Sequence, residues 1–287
     1  MSGRVRIITD SVADLPPEIA RRLGIAVVPV QIFSGGQSQR DDETLDRDRF
    51  YENLRRDGPL PQTSAPSADE ILHFYQTLAA EGAKEIIALF MATSLSSLGQ
   101  YAQMAAARLE GARVHILETG QVSLGIGWLA SAAAEAAADG ATVEEITALV
   151  AGLRRRTSVV GVLASLRHLR RSGRVGWARA WAGDLLQVKP LIIFNEGEAR
   201  LLGQVRTYSR ALQWLERWVA ETAPLERLAL LHSRPAPQVL ERVRAALQPY
   251  APTGELLVVE AGPTFVTHVG PGGVGVAVVQ AVKPGRN

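Results

Sequence analysis

His268 stands in the stretch Phe265-Val-Thr-His-Val-Gly-Pro-Gly-Gly-Val-Gly275, where a titratable ring precedes a turn of glycines and one proline. Glycine tolerates positive φ and close approach, and Pro271 fixes its own φ and removes a donor, so the ring ahead of them has a fixed aim. An imidazole so placed serves either as a ligand-binding donor or as a satisfied turn or core histidine. Hydroxyls form the second group: Thr9-Asp-Ser11 closes one apolar run, Ala92-Thr-Ser-Leu-Ser-Ser97 closes another, and Pro61-Gln-Thr-Ser-Ala-Pro-Ser67 precedes a helical pattern. Hydroxyls with an imidazole suit the holding of an anion. With a nucleophilic serine they suit acyl transfer. Ser67 and Ser94, Ser96 or Ser97 also fit helix N-caps, and Asp10 and Asp14 fit a turn and a cap.

Two catalytic spellings fail on context. Gly270, Gly272 and Gly275 give G-x-G-x-x-G, but the apolar run Val274–Val279 that follows reads as a strand, whereas a dinucleotide turn must open a helix and be followed by an acidic residue. Leu95-Ser-Ser97-Leu-Gly99 is half of G-x-S-x-G, with Leu95 where the nucleophile elbow needs glycine, and no carboxylate is evident to orient His268. A Ser/His acyl hydrolase acting on lipid esters or thioesters therefore stands as the alternative to a binding function.

Composition narrows the classes. With no cysteine among 287 residues and five scattered histidines, thiol catalysis, disulfides and cysteine-ligated zinc are excluded, and no metal or cofactor is expected. No apolar run approaches eighteen residues, and Met-Ser-Gly-Arg-Val-Arg leads straight into a strand pattern, which predicts a cytoplasmic protein without a signal peptide. Charge is divided between the halves. Residues 1–150 hold 12 Lys+Arg against 20 Asp+Glu, and residues 151–287 hold 19 against 9, nearly all of it arginine. A basic arginine face suits an acidic protein or an anionic membrane surface; no nucleic-acid motif accompanies it.

The elements that must position these residues alternate. Val5–Thr9, Ala26–Phe33, Glu85–Met91 and Val114–Leu117 read as strands separated by helical patterns, the first helix capped by Asp14 and stopped by Gly24. This predicts an α/β fold whose N-terminal domain, residues 1–155, is a mostly parallel sheet with flanking helices. Ligands then bind outside the carboxyl ends of the strands, where the hydroxyl-rich loops converge. Residues 156–287 are predicted as an α+β domain with a mixed sheet: a strand at Val159–Leu163, a hairpin-like pair at Gln187–Phe194 and Leu201–Thr207, a helix with Trp214 and Trp218 on its core face, strands at Leu228–Leu231 and Leu256–Val259, and the His268 turn. Ser123, Gly125 and Gly127 leave room for a tunnel beside the first sheet, or for close helix packing.

Several ordered motifs over nearly the whole chain resemble the DegV family, whose members include the FakB fatty-acid-binding proteins. Thr9-Asp-Ser-Val-Ala-Asp-Leu15 is similar to its T-D-S-x-A-D-L opening, and Thr63-Ser-Ala-Pro-Ser67 to T-S-Q-P-S with Ala65 for Gln. Leu95–Ala102 resembles L-S-G-T-Y-Q-S-A but departs at Ser97, Leu98 and Gly99; Leu166–Val175 resembles L-x-x-L-x-x-G-G-R-I with Ser172 for the first glycine. Leu185–Pro190, Gln204-Val-Arg-Thr207 and Thr267-His-Val-Gly-Pro-Gly272 also match. The resemblance implies a long-chain fatty acid held between two domains, its carboxylate on Thr63, Ser96 and His268. It further implies a non-catalytic carrier that takes the acid from a membrane and presents it to a separate ATP-dependent fatty acid kinase. Arg206 matches a kinase-docking position, with Arg170 and Arg174 as further candidates. The chain itself has no P-loop, so phosphoryl transfer to give acyl phosphate falls to that partner.

Overall fold

The computed structural model describes residues 5–55, 59–180 and 188–282. The chain opens with β1 (Val5–Asp10), a single 3-10 turn at Ser11–Ala13, α1 (Pro17–Leu23) and β2 (Ala26–Val28). The apolar run predicted as one strand, Ala26–Phe33, is in fact shared between two sheets. β2 pairs with β1 as far as Val28, the chain leaves at Pro29 and Val30, and β3 (Gln31–Ser34) begins a separate antiparallel sheet with β4 (Gln37–Arg40) and β5 (Gln62–Ser64). Pro29 has no N–H to give the β1 ladder, which is a sufficient reason for the break. α2 (Arg47–Arg55) lies between β4 and β5, and its buried Phe50, Tyr51 and Leu54 pack with Ile32 and Val266.

α3 (Ala68–Ala80) starts with a capping box in which the Ser67 hydroxyl accepts the Glu70 amide hydrogen and Glu70 accepts that of Ser67, so Ser67 is the cap its sequence suggested. β6 (Glu85–Phe90), α4 (Leu98–Ala106) and β7 (Arg113–Glu118) complete the first sheet, order β2-β1-β6-β7 with every pair parallel. α5 (Leu124–Ala138) and α6 (Val143–Arg156), the latter boxed by Thr142 and Glu145, follow.

The second sheet is built from β8 (Thr157–Val162), then, after α7 (Arg167–Ser172) and α8 (Gly176–Arg179), the hairpin β9 (Lys189–Asn195) and β10 (Glu198–Val205). Behind α9 (Tyr208–Thr222) come β11 (Leu225–His232), α10 (Pro237–Leu247), β12 (Leu257–Glu260), α11 (Pro263–Val269) and β13 (Val274–Gln280). The order is β10-β9-β8-β13-β11-β12, antiparallel except for β11 against β12, so the sheet is mixed. Val274–Val279 is an interior strand, and no helix follows the glycines, in keeping with the rejected dinucleotide motif.

α5 joins the layers. Its first eleven residues, Leu124–Ala134, are all buried, the pattern of a helix with protein on every side. One continuous core runs from Ile7 and Leu89 of the first sheet through Leu129 and Ala133 to Val159, Phe194 and Ala277 of the second. The small residues of this helix exist for that packing. A Cβ at Gly125 would lie 2.7 Å from Gln121 Oε1 and 3.0 Å from Val159, and one at Gly127 would lie 2.7 Å from Leu124 and 2.9 Å from the Ala13 carbonyl.

Candidate functional site

Between the carboxyl ends of the first sheet and one face of the second lies an apolar cavity of about 140 Å³. Val12, Met91 and Val122, each just beyond a parallel strand, line one side; Val159, Ile192, Phe194 and Leu231 of the second sheet line the other. Phe265, His268 and Val269 of α11 close one end together with Thr63 from β5. The ends of the strands are fastened by buried polar groups. The Thr9 hydroxyl donates to the Leu89 carbonyl and that of Thr119 to the Phe90 carbonyl, each at 2.7 Å, and Asp10 accepts the amide hydrogens of Val12 and Met91.

Thr63 and His268, 205 residues apart in sequence, meet with Oγ1 and Nε2 2.8 Å apart. Thr63 is fixed by β5, where it stands opposite Ile32. His268 stands just ahead of the glycine turn, as expected, and there it forms part of the last turn of α11, which Gly270 ends at φ +85°. Burial, then the charge of Arg174, pushes its pKa down to about 4, so the ring is neutral at pH 7. Nδ1 is buried without a partner. This neutral pair has one proton to give in either tautomer. If Nε2 accepts from the Thr63 hydroxyl, Nδ1–H is the free donor; if Nε2–H donates to Thr63, the threonine O–H is free.

Ser96 lies elsewhere in its own turn. It is half-buried, its hydroxyl accepts the Leu98 amide hydrogen at 3.2 Å, and it lines neither the apolar cavity nor the cleft beside it. The neighbouring Ser94 hydroxyl donates to the Gly197 carbonyl at 2.6 Å, tying this loop to the β9–β10 turn. A Ser/His hydrolase needs a serine on the imidazole and a carboxylate behind it. Here the imidazole is bonded to Thr63, and its other nitrogen meets no carboxylate.

The tunnel candidates require correction. Ser123, Gly125 and Gly127 are buried inside α5 contacts and none lines the cavity, which touches this region at Val122. Ser123, at φ +50°, donates its hydroxyl to Asp14 Oδ2 at 2.5 Å. Asp14 likewise does not cap α1, whose N-cap is Pro16 without a side-chain bond. It turns inward, at φ +47°, and its Oδ1 accepts the Gly262 amide hydrogen at 2.7 Å.

The three arginine candidates separate. Arg170 on α7 and Arg206, just past β10, are exposed and line neither cavity. Arg174 lines the apolar cavity and also a more polar cleft beside it, formed with Pro59–Thr63, His168, Arg171, Ser172 and His268. Its guanidinium donates to the Ser172 carbonyl at 3.0 Å. Of the matched motif Leu185–Pro190, Leu185–Gln187 lie outside the described residues. Among the described residues no group of three metal-ligating side chains converges, and no helix is long and apolar enough to cross a membrane.

Two sheets enclosing an apolar cavity with a neutral hydroxyl–imidazole pair at one end define a protein built around a largely apolar small molecule with one polar end. The DegV family model, described as one of uncharacterised proteins, matches residues 4–281, and the chain belongs to that family. A DegV domain-containing protein of Streptomyces coelicolor is 33% identical over 282 residues, 97% of this chain and 99% of its own. Among solved structures, a fatty-acid-binding DegV family protein from Thermus thermophilus is 31% identical with a TM-score of 0.87, over 97% of this chain and all of its own. One from Streptococcus agalactiae is 28% identical with a TM-score of 0.86, over 97% and 99%.

Proposed function

We propose that the protein binds a long-chain fatty acid and presents its carboxylate to a separate ATP-dependent fatty acid kinase, then carries the acyl phosphate. The observation that carries this reading is the Thr63–His268 pair at the end of an otherwise apolar cavity. The fatty-acid-binding relatives at 31% and 28% identity support the same ligand class. Each buried methylene contributes about 0.8 kcal/mol, so a 16-carbon tail gains on the order of 10 kcal/mol before ordering costs. The tail supplies affinity. The head group needs donors, and a neutral pair with one free proton binds an anion without the cost of burying a fixed cation. Ser96 joins them by turning its hydroxyl from its own loop toward the carboxylate.

On this reading residues 1–155 and 156–287 are two domains with the acid between them, and the protein is a cytoplasmic carrier rather than an enzyme. Arg206 and Arg170, exposed on the second half, meet the kinase or, transiently, an anionic membrane surface. Arg174, which lines the cavity and the cleft beside it, is assigned with them to the approach of the partner. The test is calorimetry with fatty acids of increasing length. Affinity is expected to rise until the cavity is full and then to fall; equal affinity for 8-carbon and 16-carbon acids overturns the reading.

A further inference from the structure

We propose that Asp14 and Asp41 are positioning residues of the head-group site: they hold the start of α11 from below, and so set where its last turn presents His268. The inference rests on the reading of Thr63 and His268 as the head-group site. α11 has no side-chain cap of its own, since its N-cap is Gly262. Its first amide hydrogens go to two remote carboxylates. Gly262 N–H donates to Asp14 Oδ1 at 2.7 Å and Thr264 N–H to Asp41 Oδ2 at 3.2 Å, across 248 and 223 residues of sequence. Each carboxylate is itself held, Asp14 by the Ser123 hydroxyl and Asp41 by the Ser11 hydroxyl at 3.1 Å. The helix is seven residues long, so a shift at its first turn is carried directly to His268 in its last.

The arrangement is costly enough to need a reason. Asp14 and Ser123 both hold positive φ, and they bond to each other. Asp14 and Asp41 are buried carboxyls that repel one another, with Arg47 the cation facing both; Asp10 lies behind, and Tyr51, with Glu260 and Arg234 beyond it, faces Asp14 from α2. None of these acids lines the apolar cavity. They line a cleft of about 730 Å³ on the side where Arg47 and Glu260 lie. A carboxylate at this place does not touch the ligand, and its effect passes through α11.

The experiment compares wild type with Asp14→Asn, Gly262→Ala and His268→Ala, using hexadecanoate as the probe in calorimetry and the His268 ring resonance in ligand-free protein as the second readout. Asp14→Asn keeps one oxygen, so it accepts from the Gly262 N–H only by turning its amide donor on the Ser123 hydroxyl, which must then accept instead of donate. Gly262→Ala places a Cβ 2.7 Å from Asp14 Oδ1 and displaces the clamp without touching the carboxyl chemistry, which covers the case that Asp14→Asn does not fold. Both are expected to weaken hexadecanoate about tenfold, to keep the preference for 16 over 8 carbons, and to move the His268 midpoint up from about 4 toward the ordinary histidine value as the ring gains water. Wild-type affinity and an unmoved His268 midpoint in both variants, with His268→Ala still impaired, overturn the positioning role and leave the site reading intact. If wild type does not bind hexadecanoate, the site reading fails instead, and the ring titration alone decides the clamp.

Discussion

At the scale of the residue, the site depends on a neutral imidazole. A ring protonated at pH 7 would lose its acceptor and carry a charge into an apolar cavity; burial and Arg174 keep His268 neutral instead. Thr63→Ala and His268→Ala each remove half of the pair, and each is expected to cost about 1.5–3 kcal/mol of fatty-acid affinity, the range for a hydrogen bond to a charged group. Calorimetry on protein whose melting temperature is unchanged checks this, and wild-type affinity in both variants removes the pair from the site. Arg206 offers the opposite outcome. Arg206→Ala should leave fatty-acid affinity within error and slow kinase-dependent acyl-phosphate formation, with a defect that shrinks as salt screens the same attraction in wild type. A loss of fatty-acid binding as large as that of His268→Ala would place Arg206 in the lipid site.

At the scale of the element, α5 and α11 separate what the sequence makes legible from what it hides. Strand–helix alternation and the β9–β10 hairpin are local patterns and both are present, although the run Ala26–Phe33 divides between two sheets. The helical α11 was hidden because Pro263–Val269 is only seven residues long and sits against a glycine-rich turn that dominates its appearance. The role of Asp14 was hidden because its partners, Ser123 and Gly262, are remote in sequence. For Gly125 and Gly127, small size suggested empty space, whereas the space is taken by Gln121, Leu124, Val159 and the Ala13 carbonyl. Gly127→Ala is therefore expected to destabilise by about 1–3 kcal/mol, as overpacking does, because a backbone carbonyl cannot yield as a side chain can. Urea unfolding measures it. A tunnel residue would instead leave stability alone and shift the preferred chain length downward.

At the scale of the whole molecule, two sets of buried groups hold protons in opposite senses over one pH window. Asp10 and Asp14 are raised by burial from 3.8 to about 7, and Asp41 is raised for the same reason. Between these values the folded state keeps protons that the unfolded chain has released, so this contribution to stability is lost as pH rises from about 4 to about 7. His168 and His268 are lowered by burial from 6.5 to about 4, and His232 is lowered for the same reason. In the same interval the unfolded chain binds the protons, and their contribution is lost as pH falls. The two sets, three carboxyls against three histidines, oppose each other, and the wild-type protein is expected to vary little in stability across the window. Each uncompensated proton contributes a slope of about 1.4 kcal/mol per pH unit. Asp10→Asn should therefore tilt the profile toward rising stability with pH, and His268→Asn should tilt it the other way. Urea unfolding in steps from about pH 4.5 to about pH 6.5 reads both slopes, within the interval bounded by the folded and unfolded values of these groups. Tilts of the same sign in the two variants would mean that at least one set does not hold its protons as its burial implies.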